Sequence, residues 1–145
     1  MIHHINHSKR ELEALINALH KQFKLGETEY GKALYDKYKT AYDNMKDKKS
    51  IKIEVSSLKE FLYLNKSINN YLNLDLRNLC IRSINVKKYI DDGCYLSKDG
   101  VDFSKIPCYQ CTGMLRTGGC EIIIMTYLVR KFNRLYIRWI KDWSK

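Results

Sequence analysis

Lys46-Asp47-Lys48-Lys49-Ser50-Ile51-Lys52-Ile53-Glu54-Val55 is the stretch at which the chain changes class. Its first half is a polar break of mixed charge. Its second half alternates apolar and polar residues, the period that turns every other side chain to one face of a strand. Upstream of the break the apolar residues recur at helical spacing instead. Ser8-x-x-Glu11 is a capping box, and Leu12, Leu15, Ile16, Leu19 and Phe23 follow it along one helix face over about residues 9 to 25, stopped by Leu25-Gly26. Thr28 can cap a second helix with the stripe Tyr30, Leu34, Tyr38, Ala41 and Met45. The short link makes the pair an antiparallel hairpin over about residues 8 to 47, with Tyr30 and Tyr38 packed against the first helix.

Downstream, Ser57-x-x-Glu60 is a second capping box, and Leu58, Phe61, Leu62, Ile68 and Leu72 carry a helix to about residue 72. Leu79 to Val86 is β-rich and reads as a strand, and Asp91-Asp92-Gly93 marks a turn. Cys94 to Ser97 and Val101 to Phe103 flank Lys98-Asp99-Gly100 as a small hairpin. Cys120-Glu121-Ile122-Ile123-Ile124-Met125 favours a buried strand, with a helix from Gly119 onward as the alternative. The expected fold is therefore α+β: an N-terminal antiparallel helical hairpin, then a small β-sheet with one inserted helix in an α/β part over about residues 50 to 145, closed by a C-terminal amphipathic helix.

With 145 residues, 45% of them hydrophobic and only one proline, the chain suits one folded domain over residues 1–145, without long linkers. The first residues lack the basic start and apolar run of a signal peptide, and no stretch reaches the ~18 apolar residues of a membrane span. A cytoplasmic or nuclear protein, not a secreted one, is expected. Five cysteines, an odd number, then point to free thiols or a metal site rather than a disulfide framework.

The formal charge of +10 attracts polyanions, although heavy use of Lys, Ile, Asn and Tyr also fits AT-rich coding. Distribution is the better test, and half of the excess falls in residues 101–145, with 8 basic side chains against 3 acidic ones. On a helix, Phe132, Leu135, Tyr136, Trp139, Ile140 and Trp143 fall on one side, and Arg130, Arg134, Arg138, Lys141 and Lys145 on the other. Such a ridge can follow a phosphate backbone, because guanidinium forks fit phosphate and each contact releases counterions. A solvated basic face on an amphipathic helix is its plain structural reading.

Cys108-Tyr109-Gln110-Cys111 has the spacing of a metal-binding turn, and Cys94, Cys108, Cys111 and Cys120 are the candidate ligands of a four-thiolate zinc site. No second close cysteine pair supports it, and no other cofactor is expected. His3, His4 and His7 supply at most a loose cluster. Thr112 to Gly119 can cradle a phosphate with Arg116 nearby, but it matches no complete phosphate-loop template. Catalytic constellations are otherwise missing. Three functions follow in order: a non-enzymatic nucleic-acid-binding protein using Arg130, Lys131, Arg134, Arg138, Lys141 and Arg116; a module or inhibitor docking on an acidic protein or nucleoprotein complex; and a nucleotide-handling enzyme built on the Cys108–Gly119 loop. The DNA or RNA contact would be mostly to phosphate. The helical hairpin also offers a face for a homo-oligomer. No motif is specific enough to name a family.

Overall fold

The computed structural model describes residues 3–24, 28–76, 96–97, 100–101, 115 and 121–143. Strand β1 (His3–Ser8) leads into helix α1 (Lys9–Lys24), followed by α2 (Thr28–Met45), strand β2 (Ser50–Val55) and α3 (Leu58–Asn70). A π-helical turn, Tyr71–Leu76, continues α3. A minimal ribbon, β3 (Leu96–Ser97) and β4 (Gly100–Val101), and the long helix α4 (Glu121–Trp143) complete the described elements. The protein is thus α+β and mostly helical, with four α-helices and a two-stranded antiparallel β1–β2 sheet among the described residues.

The order of elements differs from the expected one, because a strand precedes the helices. β1 pairs with β2 from His3 opposite Val55 to Ser8 opposite Ser50, so the helical hairpin is an insertion between two strands of one sheet. The expected fold, which opens on the helical hairpin with no strand before it, is corrected in this respect. His7 takes an inward position that an apolar residue would ordinarily mark, and so the alternation of the strand does not show as a hydrophobic one. Ile5, His7, Ile53 and Val55 are buried on the inner face, while His4, Asn6, Lys52 and Glu54 are exposed on the outer one.

The expected strand at Cys120–Met125 is the second correction, since a helix begins at Glu121. Every residue from Glu121 to Met125 is buried, so no exposed face carries a period, and β-branched isoleucines then read as strand. Thr126 Oγ1 donates to the carbonyl of Ile122 at 2.8 Å, one helical turn back. The strand expected over Leu79–Val86 lies outside the described residues. Of the small hairpin, Leu96–Ser97 pairs with Gly100–Val101, so Gly100, expected in the turn, belongs to the second strand.

Both capping motifs act at helix starts. Ser8 Oγ accepts from Glu11 N and Glu11 Oε2 accepts from Ser8 N, each at 3.2 Å. At α3, Ser57 Oγ accepts from Glu60 N at 3.1 Å, but the Glu60 carboxylate reaches Ser56 N, at 2.7 Å, one residue earlier than a strict capping box. Lys37 on α2 ties these elements together, donating to Glu60 Oε1 at 2.7 Å and to the Glu54 carbonyl at 2.6 Å. Tyr38 is fully buried, whereas Tyr30 meets Tyr63 of α3 edge-on at 5.3 Å. α1 packs against α2, α3 and α4, and the core draws on both strands and all four helices.

Gly31 lies where α1, α2 and α3 converge. A Cβ there would stand 2.2 Å from Tyr63 Oη and 2.7 Å from Phe23 Cβ. Gly31→Ala is therefore expected to lower stability by about 1–3 kcal/mol, although alanine gains ~1 kcal/mol in an open helix. Urea denaturation reads the sign, and an unchanged or raised midpoint would refute the close packing.

Candidate nucleic-acid interface

Helix α4 owes its position to three sets of side chains. At its start, Glu121 accepts from Asn17 Nδ2 at 2.6 Å and from Tyr71 Oη at 2.7 Å. Burial raises the Glu121 carboxyl above its usual range, and these two donors offset that only in part. Toward α3, Phe61 stacks on Phe132 at 5.2 Å and on Tyr136 at 6.3 Å, and packs against Trp139 and Trp143. Toward β1, His3 stacks on Trp139 at 4.2 Å, with Nε2 3.5 Å from Asp142 Oδ2.

The remaining side of α4 faces solvent. Arg134, Arg138 and Lys141 are exposed there together with Asn133 and Ile137, and Arg130 is half-buried. Asp142 is the only acidic residue of α4 after Glu121, and it sits beside His3, so it does not interrupt the ridge. Residues four apart on a helix are separated by about 6 Å along its axis, so these cations form a short continuous row.

Lys131 is set apart from that row. Its ammonium donates to Glu11 Oε1 at 2.8 Å and to the Asn6 carbonyl, and its side chain is mostly buried. Glu11 thus serves the α1 cap with one oxygen and Lys131 with the other. His7, fully buried, stands with Nδ1 3.6 Å from Glu11 Oε1. Burial holds the His7 imidazole below its ordinary pKa, and the neighbouring Glu11 offsets this only in part. Burial alone would raise Glu11, but the His7 ring and the Lys131 charge reverse this and hold its carboxyl at about 2. The sequence gives a partial signal for this centre, as Glu11 belongs to the capping box and His7 lies four residues before it. Nothing in the spacing points to Lys131, which is 120 residues from Glu11.

Tyr136 stands at the rim of the apolar side, against Phe61 but 37% exposed, and Ile137 is 73% exposed beside the cationic row. Phe132 and Trp139 are buried, and Leu135, Ile140 and Trp143 partly so. Arg116, Lys145 and all four candidate zinc ligands (Cys94, Cys108, Cys111 and Cys120) lie outside the described residues, as does nearly all of the Cys108–Gly119 loop. The three histidines do not converge: His3 and His7 point inward from β1, and His4 outward. Among the described residues no three His, Cys, Asp or Glu side chains are placed to hold a metal ion, and no helix is long and apolar enough to cross a membrane. No protein-family model, curated protein or solved structure matches the chain.

Proposed function

We propose that this protein binds nucleic acid without catalysis, through phosphate contacts from the solvent-facing side of α4. The observation that carries the reading is the exposed row of Arg134, Arg138 and Lys141, with no carboxylate in it. Arg130 flanks the row, while Lys131 contributes field rather than contact because Glu11 holds it. The helix itself is fixed by the Phe61 and His3 packing, so little order has to be created when a strand docks.

Three phosphate contacts predict that log K falls with log salt at a slope of about −2 on a single strand and −3 on a duplex. Between 50 and 200 mM salt this is a loss of roughly 20- to 40-fold. The Arg134→Glu/Arg138→Glu variant is expected to bind at least about tenfold more weakly, with a shallower slope. Fluorescence anisotropy on labelled DNA and RNA at several salt concentrations reads both quantities. Salt-insensitive binding, or a variant that binds as the wild type does, would overturn the reading. No binding at low salt, together with a stoichiometric protein complex that survives nuclease, would assign the face to an acidic protein instead.

A further inference from the structure

The aromatic flank of α4 narrows the class of nucleic acid. We infer that the preferred ligand is a single strand, and that Tyr136 is a base-stacking residue beside the phosphate-binding row; this rests on the reading proposed above. Tyr136 is the exposed member of a series of rings in near-parallel pairs. It lies at 17° to Phe61, Phe61 at 18° to Phe132, and Phe132 at 21° to His7. His7, Phe61 and Phe132 are completely buried, whereas Tyr136 is 37% exposed. A surface ring backed by immobile rings is a platform that costs little entropy to use.

Its neighbours complete the pattern. Going round the exposed residues of α4 at 100° per residue, Tyr136 is followed by Asn133, then by Ile137, then by Lys141, Arg134 and Arg138. The surface therefore passes from aromatic, through amide and aliphatic, to cationic within one helix. A single strand presents the matching order, because its unpaired bases offer π-faces and apolar edges on one side and phosphates on the other. A duplex buries those π-faces in its stack and can engage only the cationic row. Ile137 at 73% exposure has the same use as an apolar contact to a base.

The test compares an oligothymidylate with a duplex of equal length, by anisotropy over a salt series, for the wild type and the Tyr136→Leu and Tyr136→Phe variants. Leucine retains apolar contact with Phe61 but offers no ring, and circular dichroism establishes that each variant folds. The single strand is expected to bind more tightly than the duplex. Tyr136→Leu is expected to lose about tenfold on the single strand with an unchanged salt slope and an unchanged duplex affinity. Tyr136→Phe should bind the single strand as the wild type does. Equal affinity for the two forms, or an oligothymidylate affinity untouched by Tyr136→Leu, overturns the inference while steep salt dependence keeps the phosphate reading. If neither form binds with salt dependence, both fail.

Discussion

Lys131→Met is expected to cost about 3–5 kcal/mol of stability, the usual penalty for leaving one member of a buried ion pair without the other. Methionine keeps most of the apolar stem but removes the ammonium from Glu11 Oε1 and from the Asn6 carbonyl. Glu11 is 3% exposed and cannot turn to water. The same change also releases the link between α4 and the edge of β1, so the loss exceeds that of a surface ion pair, which is about 0–1 kcal/mol. Replacing Glu11 as well removes the stranded charge. Lys131→Met/Glu11→Met should therefore be more stable than the sum of the two single changes predicts, a coupling that a double-mutant cycle in urea measures. Additive losses would mean that the two groups do not depend on one another.

Acid should dismantle the same centre. Glu11 has a folded pKa of about 2 against an ordinary 4.5. The unfolded chain therefore takes up this proton first, and the stabilisation, present above 4.5, is lost as pH falls toward 2. Its full size is roughly 3 kcal/mol by the usual conversion. His7 acts in the same direction at higher pH, because its folded pKa is lowered below 6.5 and the unfolded state protonates first. Glu121 acts in the opposite direction. Its raised folded pKa gives stability that is complete below 4.5 and is lost as pH rises through the folded value. A comparison with Glu11→Gln separates the contribution of the Glu11–His7 pair from that of Glu121. The gap in unfolding free energy between wild type and Glu11→Gln is expected to close between pH 4.5 and 2, and a gap independent of pH would show that Glu11 titrates alike in both states.

The legible parts of the fold are those whose signals are local. Ser8 and Glu11 meet within one turn, so the start of α1 can be read from four residues. The alternation from Ile51 to Val55 has a buried and an exposed side, and between Leu12 and Leu19 the two residues that escape full burial, Glu13 and Asn17, stand one turn apart, so both patterns survive in the sequence. The cationic row on α4 is legible for the same reason, since Arg134, Arg138 and Lys141 lie on one exposed face. Local signals fail where the environment is uniform or where a polar residue stands in an apolar place. Ile122, Ile123 and Ile124 are enclosed on all sides, and β1 hides behind His3 and His7.

By itself, then, the sequence determines the helical hairpin, the β2 strand, the capped start of α3 and the basic side of the last helix, because each depends on residues within a few positions of one another. Tertiary structure alone decides that His3–Ser8 pairs with Ser50–Val55, that α4 begins at Glu121, and that Lys131 belongs to Glu11 rather than to the exposed row. It alone also leaves Tyr136, which the helical period puts on the apolar side, 37% exposed. Partners brought together by folding have no fixed spacing in the chain: 120 residues separate Lys131 from Glu11, and 2.8 Å separates their charged atoms.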